Sequence, residues 1–127
     1  MQIRVYYEDT DCGNVVYYAN YLKYMERSRT EYLRDRGIDL AKFHEQGLMF
    51  AVIEAHVKYR RPARYNDLLD VASTVTDKTS VSVTFETKIY NQNGDHLVTG
   101  TVTLACISTE GRARRLPEEV KSLTEEK

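Results

Sequence analysis

Three carboxylates crowd into four residues near the start of the chain, at Glu8, Asp9 and Asp11, and Cys12, Gly13 and Asn14 follow directly. A carboxylate held in a loop has two hydrolytic uses: it activates a water as a general base, or it attacks an electrophilic carbonyl itself. Either use wants a backbone N–H aimed at the developing oxyanion, a donor worth roughly 2.7 to 4 kcal/mol. Gly13 and Asn14 tolerate left-handed backbone, so Glu8 to Asn14 reads as a polar loop. The competing use of each aspartate is structural, with its oxygens satisfied by neighbouring backbone N–H groups. Asp9 reads that way, as a residue that holds the loop, and taken by itself Asp11 suits the same structural use. A metal-dependent site built on Glu8, Asp9 and Asp11 is a weaker reading, because no His and no second acidic cluster stand beside them, and no metal or cofactor is expected. Cys12 has no His near it in sequence and reads as a small packing residue.

A second cluster is basic. Lys58, Arg60, Arg61 and Arg64 surround Pro62, a composition that suits phosphate binding and equally suits a solvated strand end. Arg112, Arg114 and Arg115 form another basic run, available for a neighbouring subunit to contribute to a site. His44, His56 and His96 are scattered without metal-ligand spacing, and the serine-hydrolase elbow, the P-loop and the dinucleotide-binding glycine motif are all missing.

The elements that must position these groups follow from periodicity. Residues 3 to 7 read as a short strand. From Asn20, an N-cap type, Tyr21, Met25, Ser28 and Tyr32 recur at helical spacing with Leu22 and Leu33 alongside, and Gly37 closes the helix. Asp39 to Gln46 reads as a short second helix ending at Gly47. The period then changes from 3.6 to 2: alternating runs over 51–59, 68–76, 81–90 and 98–106 are half-buried strands, with an Asn93-Gly94 hairpin before the last. Thr109 to Gly111 marks another turn, and Pro117 starts a terminal helix or tail over 117–127.

One long helix and an antiparallel sheet in a single domain, 1–127, define an α+β fold in which the sheet wraps the helix, the hotdog arrangement. One helix covers only one face of such a sheet, so a second copy of the chain is expected to cover what remains, giving a dimer or a tetramer of paired dimers.

The chain has 127 residues, 42% hydrophobic and 29% charged, enough for one core. A formal charge of -1 offers no general field for nucleic acid or anionic lipid. No window reaches the ~18 apolar residues of a membrane span, and Met1 to Val5 has no leader pattern. With Cys12 and Cys106 read as reduced thiols, the expected location is cytoplasmic. Ten Tyr against no Trp suit a fold whose pocket is partly buried and partly polar.

The run from Tyr6 to Asp11, then Val15-Val16-Tyr17 and Ala19-Asn20-Tyr21, resembles the signature of the 4-hydroxybenzoyl-CoA thioesterase family of hotdog enzymes, in particular the branch associated with the bacterial Tol-Pal system. Tyr59 to Asp67 and Gly94 to Ile107 are similar to that family too, so the resemblance covers nearly the whole chain. It implies an acyl-CoA thioesterase, a curved five-stranded sheet, and Asp11 as the catalytic carboxylate. It also implies an oxyanion N–H near the start of the second strand, at Leu48 to Phe50, for which Met49 is the choice. The family often has Gly at the position of Asn14. At Tyr18 the Tol-Pal branch usually carries His and the 4-hydroxybenzoyl-CoA enzyme Tyr.

Such a reaction asks little of the protein. A thiol leaving group has a pKa near ~8.5, so no strong general acid is needed. One carboxylate and one oxyanion site suffice. Tyr18 would then orient the acyl carbonyl or else pack in the core. Lys58, Arg60, Arg61 and Arg64 would take the CoA phosphates. Two rivals share the fold: a dehydratase, which wants a His that neither the loop nor the long helix supplies, and a non-catalytic module binding acyl-CoA or an acyl carrier protein, which has no use for a carboxylate beside the thioester.

Overall fold

Alternating side chains make a strand wherever one face can be buried, and the four alternating runs of this chain join one short N-terminal strand in a single sheet. The computed structural model describes residues 1–126. Lys127, the end of the expected tail, lies outside the described residues. The strands are β1 (Gln2–Arg4), β2 (Leu48–Tyr59), β3 (Leu68–Lys78), β4 (Ser82–Tyr90) and β5 (His96–Ser108), and the helices α1 (Asn20–Asp35), α2 (Leu40–Glu45) and α3 (Glu118–Lys121). Spatial order is β1-β3-β4-β5-β2, antiparallel at every step. Register shifts at Val52/Glu54, Val75/Asp77 and Ile89/Tyr90 insert the bulges that let such a sheet curl. This is the expected hotdog arrangement, with α1 packed on β3 and β4.

The core lies between α1 and the inner sheet face, where Val71, Val75, Val83, Phe85, Ile89, Val98 and Val102 meet Tyr21, Tyr24, Met25 and Tyr32. Ser28 sits on the apolar stripe of α1 because its hydroxyl is paired inside: Oγ lies 2.8 Å from Ser73 Oγ, which lies 2.7 Å from Thr87 Oγ1. Leu116 is buried just before the tail, and the described part of the tail buries Val120 and Leu123.

Three local expectations need correction. Asn20 does not cap α1. Ala19 before it already has helical dihedrals (φ -70, ψ -20), so Asn20 is the first helical residue and its amide is free to reach elsewhere. Leu22, read as part of the apolar face, is 42% exposed, while Tyr24, not singled out, is buried. β2 begins at Leu48 rather than 51, and its alternation does not make it half-buried: Val52 and Ile53 are 52% and 62% exposed. The reason is position, since β2 is the strand farthest from β3, where α1 packs, and its outer edge has no partner strand among the described residues.

Candidate active site

The carboxylate loop is fastened at Asp9. A 3-10 turn over Tyr7–Asp9 brings its Oδ2 to accept the Tyr6 N–H at 2.9 Å, and its carbonyl accepts from Tyr17 N–H and from Asn20 Nδ2, each at 2.9 Å. The last bond is where the amide of Asn20 goes in place of capping. Asp11 then opens a tight turn. Its N–H donates to Val15 O at 2.9 Å, its carbonyl accepts from Asn14 N–H at 3.1 Å, and its Oδ1 accepts from Gly13 N–H at 2.9 Å. Asn14 takes φ 60 in this turn, a left-handed conformation that Gly adopts freely and Asn better than most residues. The carboxylate of Asp11 therefore uses one oxygen locally, as a structural loop aspartate would. The other accepts no hydrogen bond among the described residues, and the side chain is exposed.

Asp11 lines a cleft of about 340 Å³ together with Val15, Val16 and Tyr18 on the loop side. The opposite wall is the end of β2 and the turn after it, with Tyr59, Arg60, Arg61 and Pro62; Tyr21 completes the lining. Three tyrosines tie the walls together. The buried Tyr21 hydroxyl accepts from Ala63 N–H at 3.0 Å, and burial pushes its pKa up. The Tyr59 ring lies 5.4 Å from that of Tyr21, and its hydroxyl donates to the Tyr18 carbonyl at 3.3 Å. The phenol of Tyr59 is likewise raised by burial.

The basic cluster divides on folding. Arg60 and Arg61 both donate their backbone N–H to Leu97 O, at 2.7 and 3.1 Å, which turns the chain at the end of β2 and brings both residues to the cleft. Arg61 is drawn toward the β4–β5 hairpin by Asp95 at 3.6 Å. The guanidinium of Arg60 has no acidic partner among the described residues. Lys58, paired opposite Thr99 within the sheet, and Arg64, whose N–H donates to Asp67 Oδ2 at 2.9 Å, do not line the cleft. Nor does Met49, which stands at the other end of β2, roughly 30 Å of strand from Tyr59. The structure thus gathers Asp11, Tyr18, Arg60 and Arg61 on the cleft, leaves Lys58 and Arg64 off its lining although Arg64 pairs with Val15 beside it, and sets Met49 at the far end of β2. It adds Tyr59 and Tyr21, one read only as a strand end and the other as core. The signal for Tyr59 was its place directly before Arg60.

A carboxylate in an aromatic cleft fits several reactions, and sequence comparison decides among families. The model of the thioesterase-like superfamily matches residues 5–123. The chain belongs to that superfamily. The acyl-CoA thioesterase YbgC of Haemophilus influenzae is 39% identical to this thioesterase over 123 residues, 94% of this chain and 89% of that protein. The acyl-CoA thioester hydrolase YbgC of Escherichia coli O6:H1 is 34% identical over 119 residues, 93% of this chain and 89% of that one. Among solved structures, a probable thioesterase from Bartonella henselae superposes with a TM-score of 0.85 at 38% identity, covering 92% of this chain and 97% of the other. No helix among the described residues of the thioesterase is long and apolar enough to cross a membrane.

Proposed function

We propose that this thioesterase hydrolyses acyl-CoA to free acid and CoA, with Asp11 as the catalytic carboxylate. The observation that carries this reading is the meeting of Asp11 and an unpaired Arg60 in one cleft: a carboxylate for the carbonyl and a cation for the phosphates. Because Gly13 N–H engages only Oδ1, Oδ2 remains to activate a water or attack the carbonyl. The CoA thiolate leaves without a strong acid. Tyr18 and Tyr59 flank the acyl carbonyl, and Arg60, helped by Arg61, binds the nucleotide end.

The site is completed by a second copy of the chain. β2 presents an unpaired edge, and Val52 and Ile53 there are largely exposed. A twofold axis across that edge pairs the two β2 strands antiparallel and sets the start of one beside the end of the other. Met49 of the second copy then reaches the cleft of the first, where its backbone N–H serves as the oxyanion donor. A dimer is the smallest complete unit, and paired dimers make a tetramer. The two unpaired cysteines support a cytoplasmic location.

Hydrolysis measured over acyl-CoAs from short aliphatic through aromatic to long-chain, with light scattering on the same sample, tests both parts. Turnover on none of these substrates ends the acyl-CoA reading; a monomer of 14.7 kDa that turns over at full rate ends the shared site.

A further inference from the structure

Tyr24 is 1% exposed, and among the described residues no group stands in hydrogen-bonding geometry to its buried hydroxyl. The neighbouring buried hydroxyls are all served: Tyr21 accepts from Ala63 N–H, and Ser28, Ser73 and Thr87 form a chain. An unpaired buried donor is destabilising, and Phe would fill the same space without it. The surroundings say what the hydroxyl is for. Tyr24 lies one turn after Asn20, on the same side of α1, and Asn20 Nδ2 already grips the carbonyl of Asp9 at 2.9 Å. Burial first, and then the nearby Asp9 carboxylate, push the Tyr24 phenol up; like any phenol it is a donor at neutral pH. Asp9 in turn holds Tyr6 N–H and Tyr17 N–H, two residues from Asp11.

We propose that Tyr24 is a positioning residue for the Asp11 loop, its hydroxyl serving the Asp9 carboxylate so that the loop holds Asp11 at the thioester carbonyl. This rests on Asp11 being the catalytic carboxylate. Asp9 can take the extra donor, because an ionised carboxylate accepts several hydrogen bonds and only its Oδ2 is engaged, by Tyr6 N–H. A small displacement of a reacting group is costly in rate, so the loss should appear in kcat rather than in binding.

Tyr24→Phe, Asp9→Asn and the double variant, compared by kcat, KM and thermal midpoint on an accepted acyl-CoA, test the assignment. Expected for Tyr24→Phe are a kcat lowered roughly 10-fold, KM within about twofold, and a midpoint little changed, because the lost hydrogen bond and the relieved burial of the hydroxyl roughly offset. Added to Asp9→Asn, the Phe substitution should change kcat little further, since both act through one contact. Wild-type kcat in Tyr24→Phe overturns the proposal, as does a loss that merely follows a lowered midpoint or multiplies in full with that of Asp9→Asn. Asp11→Asn run alongside separates the two questions: if it keeps full turnover, the reading of Asp11 fails whatever Tyr24 shows.

Discussion

Met25 occupies the space above Gly100 that any other side chain would need: a Cβ there would stand 2.1 Å from Met25 Cε and 2.5 Å from its Sδ. The missing Cβ lets α1 settle onto the sheet, and α1 carries Tyr21 and Tyr24 and begins two residues after Tyr18. Gly100→Ala should therefore destabilise the fold by about 1 to 3 kcal/mol through overpacking. Met25→Ala in the same chain should recover part of that loss, because it empties the contested space. Thermal melts of the two single variants and the double variant measure it; strictly additive losses would mean that the two residues do not compete.

Asp11→Asn keeps the shape of the side chain and its bond from Gly13 N–H while removing charge and nucleophilicity. Turnover should fall by roughly 10²-fold with the fold and substrate binding intact. Asp9→Asn weakens a loop fastening and should lower stability by about 1 kcal/mol and turnover by roughly 10-fold, well short of the loss at Asp11. A destabilised but fully active Asp11→Asn enzyme would leave Asp11 with only its structural turn.

Arg60 and Arg61 should separate in binding assays. Arg60 is free for a phosphate, whereas Arg61 is shared with Asp95. Arg60→Ala is expected to raise KM for acyl-CoA more than Arg61→Ala does, with kcat little changed in both, because phosphate contacts remote from the carbonyl hold ground and transition states alike. The difference should vanish with a truncated pantetheine thioester. Equal effects on both substrates would move the nucleotide elsewhere.

Stability should decline in alkali. Burial pushes up the Tyr24 phenol and the Cys106 thiol, the latter partly opposed by Arg114. The unfolded chain releases these protons at their ordinary values, near ~8.5 for the thiol and ~10 for the phenol. Their contribution is complete below those values and is lost as pH rises through the folded-state values. Urea midpoints should fall from about pH 9 upward, with the loss above pH ~10 shallower in Tyr24→Phe. A midpoint that holds or rises over that range would contradict the assignment.

What the sequence determined by itself was whatever is written locally. A period of 3.6 or 2 tells which residues can share a buried face, so α1, the four long strands and the Asn93-Gly94 hairpin were legible, as was the Asp9 and Asp11 loop, which is contiguous. Tertiary structure decided what depends on neighbours distant in sequence. The alternation of β2 is the same at a sheet edge as at its centre, and only the pairing order leaves Val52 and Ile53 uncovered. Lys58, Arg60, Arg61 and Arg64 are equally basic in sequence, yet the two N–H bonds to Leu97 O turn only Arg60 and Arg61 into the cleft. Tyr24 differs from an ordinary core aromatic only in a hydroxyl left unpaired, a property of the environment that packing creates.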